Sequence, residues 1–197
     1  MALIGRNGAG KSTLLKTIMG LYPVSSGTKT VEGNVRALFD IGLGFEIDAT
    51  GRENILFRGL LQGKTPKQMR LLEEEIIRFA DIGKFIDYPL KTYSSGMQIR
   101  LAFAISTLIE GDILLLDEFF SAGDASFLNK AKARINHLID TSEILVFASH
   151  DLSSVKEICN RALLLDRGEI IFDGNVSEAI ELYTETNGTA SALAHQS

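Results

Sequence analysis

A chain of 197 residues, 45% hydrophobic and 23% charged, has the composition of an ordinary globular domain and is neither disordered nor fibrous. Its 20 Lys and Arg against 25 Asp and Glu leave a net charge of −5, which gives no global attraction to nucleic acid or to an anionic membrane surface. The one cysteine, Cys159, excludes an intramolecular disulfide framework, Cys/His clusters suited to zinc are missing, and no run approaches the roughly 18 apolar residues of a membrane-spanning helix.

The first element is a short apolar strand, Ala2-Leu3-Ile4, followed by a Gly-rich turn and an apolar-patterned helix over 12–19, with Gly20 suited to its C-cap. Residues 28–31 and 35–39 read as two strands joined by a turn at Glu32-Gly33-Asn34. From 50 to 93 the pattern is helical. Thr50-Gly51-Arg52-Glu53 and Thr65-Pro66-Lys67-Gln68 both fit the capping box, and Ser95-Gly96-Met97-Gln98 is a third such start, opening a largely apolar helix to about 109. After Gly111 the α/β alternation returns. The spacing predicts a buried strand over 113–116, a helix over 125–139, a strand over 144–148 and a helix over 152–160. Strands over 162–165 and 169–172 then flank a turn at Arg167-Gly168, and the last dozen residues have little to pack. Cys159 reads as packed core, His137 and His195 as surface residues, and Tyr22 as a loop residue.

Gly5-Arg6-Asn7-Gly8-Ala9-Gly10-Lys11-Ser12 matches the phosphate-binding loop pattern of Gly, four residues, then Gly-Lys-Ser/Thr. Gly5, Gly8 and Gly10 let the backbone curl so that its N–H groups point inward at a helix N-terminus. Lys11 is placed to reach the β- and γ-phosphates, and the Ser12 hydroxyl to ligate Mg²⁺. Phosphoryl chemistry also needs a metal-holding carboxylate and a group that positions water. Ile113-Leu114-Leu115-Leu116-Asp117-Glu118 supplies both at the carboxyl end of a buried strand, Asp117 for Mg²⁺ and Glu118 as general base.

Tyr93-Ser94-Ser95-Gly96-Met97-Gln98-Ile99-Arg100 resembles the signature segment of ATP-binding cassette (ABC) ATPases. With the phosphate loop before it, Asp117-Glu118 after it and His150 following a strand, the order is similar to that family from residue 2 to about 183. Within the family, Gly-Arg-Asn-Gly-Ala-Gly-Lys-Ser-Thr, Thr-Gly-Arg-Glu-Asn-Ile, Thr-Tyr-Ser-Ser-Gly-Met and Phe-Ala-Ser-His-Asp-Leu are most similar to the cassettes of polysaccharide, O-antigen and teichoic-acid exporters.

The resemblance implies a phosphate-loop NTPase fold, a parallel α/β core with a small antiparallel part. The single domain would cover 1–185, its core about 1–49 and 97–175, its helical subdomain about 50–96, with a flexible tail over 186–197. It implies that ATP with Mg²⁺ is held by Gly5, Asn7, Gly8, Gly10, Lys11, Ser12 and Thr13, and that a second copy closes over it with Ser94, Ser95 and Gly96. Ser95 also suits a plain helix cap, and both roles stay open. His150 resembles the family's switch histidine at the γ-phosphate, and Ser121-Ala122-Gly123-Asp124 its dimer-contact loop. The implied activity is ATP hydrolysis driving export through a transmembrane permease subunit, by a homodimer on the inner face of the cytoplasmic membrane, with no nucleic acid.

Two features depart from the family pattern. Phe39-Asp40-Ile41-Gly42-Leu43-Gly44-Phe45-Glu46 covers the junction between core and helical subdomain without the usual glutamine, leaving Asp40 or Glu46 as an oxygen donor or both as solvated loop acids. The family's strands and adenine-stacking aromatic upstream of the phosphate loop are also missing, so the chain reads as an N-terminally incomplete cassette. A groove for the permease is expected between 42–50 and 55–61, with Phe45 and Phe57 either facing it or core. Two other readings remain: a soluble family member acting on DNA or ribosomes, and an inactive fragment.

Overall fold

A computed structural model of the protein describes residues 1–39, 44–108, 111–117 and 125–194, without the side chains of 125–126 and 187–194. The elements in order are β1 (Ala2–Ile4), α1 (Lys11–Met19), β2 (Val35–Leu38), α2 (Gly51–Leu61), α3 (Pro66–Ala80), α4 (Ser95–Leu108), β3 (Ile113–Asp117), α5 (Ala125–Thr141), β4 (Ile144–Ala148), α6 (Leu152–Ile158), β5 (Arg161–Asp166), β6 (Glu169–Asn175) and α7 (Val176–Ala194). They gather into two units, one of the strands with α1, α6 and α7, the other of α2 to α5.

In the first unit the described strands form a six-stranded sheet in the order β2-β3-β4-β1-β5-β6. β1 runs parallel to β4 and β5, and β3 parallel to β4, while β5 and β6 pair antiparallel. Ala2, Leu3, Ile4, Leu114, Leu115, Phe147, Ala148 and Leu164 are all buried, as unbroken apolar strands covered on both faces must be. The ladder extends back to Met1, whose carbonyl accepts from Phe147 N and whose ammonium donates to the Leu145 carbonyl. Cys159 is buried just after α6, and burial pushes its thiol pKa up, so it is packed core.

One expected strand does not form. Residues 28–31 are irregular, and the 32–34 turn closes no hairpin. Asn34 is instead tied to the start of β3. Its backbone N and Nδ2 donate to Asp112 Oδ2 at 2.7 and 3.0 Å, and its carbonyl accepts from Asp112 N and Ile113 N. These bonds hold the Asp112 carboxyl below its usual range and set β2 beside β3, so β2 has a sheet neighbour without a hairpin partner.

The second unit is built on capped helices. Two of the three expected capping boxes are present: Thr50 and Thr65 accept from the amides of Glu53 and Gln68, whose side chains reach back to the Thr amides. Phe79 of α3, Phe103 of α4 and Phe127 of α5 form a buried trio with centroids 5.8 to 6.0 Å apart. Lys130 of α5 closes the C-terminus of α3, donating to the Phe79 carbonyl at 2.8 Å with its ammonium over the Phe79 ring. Arg52 of α2 joins Glu73 of α3 and Asp87, and these partners raise its pKa against a small opposing desolvation.

Asn54, on α2, is fully buried and shapes the loop ahead of that helix. Its Oδ1 accepts from Glu46 N at 2.8 Å, and its Nδ2 donates to the carbonyls of Glu46, Ala49 and Thr50. Asn54→Leu strips these buried groups of their partner, and the expected loss is about 3 kcal/mol in urea denaturation.

Candidate functional site

The phosphate loop leaves β1 through Gly5, where only glycine fits, because a Cβ would stand 2.4 Å from the Leu165 carbonyl oxygen of β5. Ala9 N donates to the Arg6 carbonyl, closing a turn, and Gly8 and Gly10 take left-handed φ of 83° and 105°. α1 starts at Lys11 with no side-chain cap, and its first backbone bond runs from Leu14 N to the Gly10 carbonyl. The amides of Lys11, Ser12 and Thr13 therefore have no intrahelical acceptor and sit at the positive end of the helix dipole.

Lys11 is 8% exposed, and its ammonium donates to the carbonyls of Gly5 at 2.7 Å and Arg6 at 3.3 Å. A cation is thus folded into the mouth of the loop. Ser12 Oγ donates to Asp117 Oδ2 at 2.7 Å, joining the first turn of α1 to the last residue of β3. Asn7, Gly8, Ser12 and Thr13 are exposed, and Asp117 is half-buried.

His150 lies two residues beyond the end of β4 and is exposed. The parallel register explains why it shares an edge with the loop: Ala148 of β4 pairs with Leu3 of β1 and with Asp117 of β3. Open parallel sheets gather ligand-binding groups at this carboxyl edge. The turn around His150 is fixed on both sides. Asp151 N donates to buried Ser149 Oγ at 3.0 Å, and the Asp151 carboxylate caps α6 by accepting from Ser153 N. Hydrogen bonds from Ser153 and Ser154 hold the Asp151 carboxyl down at about 2.

The first unit thus brings together Gly5, Asn7, Gly8, Gly10, Lys11, Ser12, Thr13, Asp117 and His150. Glu118, the dimer-contact segment 121–124, Asp40 and His195 lie outside the described residues. Glu46 is described in the second unit, where its Oε1 accepts from Asp48 N at 3.2 Å and serves the local turn.

The signature segment also lies in the second unit. Ser94 and Ser95 are exposed at the start of α4. The cap is Ser94 and not Ser95: Ser94 Oγ accepts from Met97 N at 3.2 Å and its carbonyl from Gln98 N. With Ser94 as the cap, the third helical position is Met97, so the expected capping box from Ser95 to Gln98 does not form, and Gln98 Nε2 donates to the Leu90 carbonyl. Tyr93 is buried, and desolvation pushes its phenol pKa up to about 12, with Asp87 adding to the rise. Phe45 is half-buried beneath the Arg58 guanidinium, 4.9 Å from its ring centroid, whereas Phe57 is 40% exposed.

One support of the loop escapes a reading of the sequence. Gly168 N, in the tight turn between β5 and β6, donates to the Ala9 carbonyl at 3.0 Å, with Arg167 at φ 47° setting the turn. Beside it a groove of about 380 Å³ is lined by Arg6, Asn7, Asp166, Arg167 and Tyr183. The Arg-Gly pair signals a turn, but nothing local says that the turn braces a loop more than 150 residues earlier.

Comparison with known proteins agrees with this geometry. The family model described as ABC transporter matches residues 1–121. The O-antigen export system ATP-binding protein RfbB of Myxococcus xanthus is 42% identical over 192 residues, covering 98% of this chain and 44% of that protein. RfbE of Yersinia enterocolitica, with the same description, is 46% identical over 170 residues, 86% of this chain and 71% of its own length. The teichoic acids export ATP-binding protein TagH of Bacillus anthracis is 42% identical over 185 residues, 94% of this chain and 34% of its own length. The chain therefore spans less than half of two of these relatives. Among solved structures, an ATP-binding subunit of an ABC transporter superposes with a TM-score of 0.73 at 19% identity, over 90% of this chain and 78% of that one. The ATP-binding cassette MJ0796, a dimer bound to ADP and Pi, gives 0.66 at 20% identity, over 89% and 84%. Similarity at that identity establishes the fold, a mostly parallel α/β sheet with helices. The family match over more than half of its length, with the 46% identity to RfbE, places the chain in the ABC transporter family.

Proposed function

We propose that the chain binds ATP with Mg²⁺ at the phosphate loop and hydrolyses it as a homodimer, powering export of a polysaccharide or lipid-linked glycan through a transmembrane permease. The carrying observation is the buried Lys11 ammonium beside the Ser12–Asp117 pair at an uncapped helix N-terminus. A hydroxyl and a carboxylate oxygen are the hard donors Mg²⁺ prefers, and two protein ligands leave positions for phosphate oxygens and water. The ion, when bound, offsets negative charge on the phosphates.

In this reading Lys11 exchanges its loop carbonyls for β- and γ-phosphate oxygens, and the free amides of α1 receive the remaining charge. Glu118 takes the proton of the attacking water, and His150 orients that water against the γ-phosphate. Ser94, Ser95 and Gly96 of the second copy close the site with the N-terminus of α4. Hydrolysis removes the bridge between copies, so nucleotide state becomes movement of the permease.

The glycan substrate rests on the names of the relatives, which are ATP-binding proteins of O-antigen and teichoic-acid export. Among the described residues no helix is long and apolar enough to cross a membrane, which suits a peripheral subunit on the cytoplasmic face. Exposed Ile47, Phe57 and Leu61 offer apolar surface for the partner. Affinity purification from detergent-solubilised membranes is the test. A permease subunit is expected to co-purify, and recovery with ribosomes instead would overturn the transport assignment.

A further inference from the structure

The segment that leads into Ser94 is fastened to the start of α2. Thr50 and Pro89 face each other in an antiparallel bridge. Leu90 N donates to the Ala49 carbonyl at 3.0 Å, Lys91 N to that of Ile47 at 2.9 Å, and Gly51 N to that of Tyr88 at 3.3 Å. On the outside the Lys91 ammonium meets Asp48 at 2.8 Å. The 46–50 side of this ladder is the loop that Asn54 holds from within, so neither edge is free to drift.

The ladder ends on one hydroxyl. Tyr93, the residue before Ser94, is 7% exposed and donates its O–H to the Phe85 carbonyl at 2.6 Å. Its ring meets Phe85 edge-on at 6.5 Å. Gly51 makes the room: a Cβ there would stand 2.3 Å from Tyr93 Oη and 3.1 Å from the Ile86 carbonyl oxygen. The start of α2, the turn at 85–88 and the first residue of the signature segment therefore converge on a single phenol oxygen.

We infer that Tyr93 is a positioning residue, whose hydroxyl ties the start of α4 to the 85–88 turn and, through the ladder of 88–91, to the 46–51 loop, so that a displacement of one moves the other. The mechanical link stands on this geometry alone; its functional consequence rests on the reading of Ser94, Ser95 and Gly96 as a contact to the γ-phosphate.

Tyr93→Phe keeps the ring and removes the hook. Hydrogen–deuterium exchange of the full chain should speed up by about fivefold, the loss of one ordinary hydrogen bond, at amides of both 47–51 and 94–98 but not through the rest of the second unit, with the melting temperature lowered by only about 2–4 °C. Unchanged exchange at 47–51, or a uniform rise through the whole second unit, would overturn the link. In a Glu118→Gln background the same substitution should weaken ATP-driven association of two copies by about fivefold with ATP affinity of the single copy unchanged. Equal association despite faster exchange would remove the functional consequence. If the Glu118→Gln protein never associates with ATP, the γ-phosphate reading of Ser94 falls, and the exchange result still decides the link.

Discussion

Replacing Lys11 with alanine is expected to weaken ATP binding by about 100-fold or more, the worth of about 3 kcal/mol in lost charge-assisted hydrogen bonds. The side chain is buried in the loop, its present acceptors are the carbonyls of Gly5 and Arg6, and in the proposed reading phosphate oxygens replace them. Alanine takes away the cation but leaves the left-handed glycines and the open amides of α1. Titration calorimetry with ATP and Mg²⁺ measures the loss, and a melting curve on the same sample checks that the fold survives. Unchanged affinity would undo the assignment of the loop.

Glu118→Gln is expected to keep binding and to lower turnover by about 1,000-fold, within the range by which a positioned general base accelerates proton transfer. Glutamine is nearly isosteric with glutamate and cannot accept the proton, so ATP persists and the paired copies stay closed. Sedimentation with ATP should show a dimer that the unaltered chain forms only briefly. The assignment rests on position in the chain. Glu118 follows Asp117, which ends β3 at the same sheet edge as Lys11 and His150 and bonds Ser12. Normal turnover by the variant would remove Glu118 from the role of base.

What the sequence reveals of this fold is what depends on neighbours in the chain. The strand at Ala2–Ile4, the glycines that follow it and the helix that starts at Lys11 are local features, and the structure has them in place. The capping boxes at Thr50 and Thr65 span four residues each and form as the residue types require. The failures come from contacts made across the chain. Residues 28–31 have the side chains of a strand, yet Asn34 is captured by Asp112, 78 positions later, and no hairpin closes. Ser94 and Ser95 are equally good caps by residue type, and the choice of Ser94 is made in the folded chain, where the preceding Tyr93 is buried with its hydroxyl on the Phe85 carbonyl.

The candidate site follows the same division. The phosphate loop and the Asp117 carboxylate are legible because their chemistry is written in consecutive residues. Their alignment is not, since it depends on the register that sets Ala148 opposite both Leu3 and Asp117. The brace from Gly168 to Ala9 and the role of Asn54 inside the 46–50 loop are likewise tertiary facts. In the sequence Asn54 is one letter of a family-like string, and its four bonds give that letter a physical reason.

A crystal structure of the full chain grown with Mg²⁺ and a non-hydrolysable ATP analogue measures the central claim most directly. The expected density places the β- and γ-phosphates against the amides of residues 8–13 with Lys11 turned onto them, and the ion replaces the 2.7 Å hydrogen bond between Ser12 and Asp117. A nucleotide bound elsewhere, with Lys11 still on the carbonyls of Gly5 and Arg6 and the Ser12–Asp117 bond intact, would contradict it.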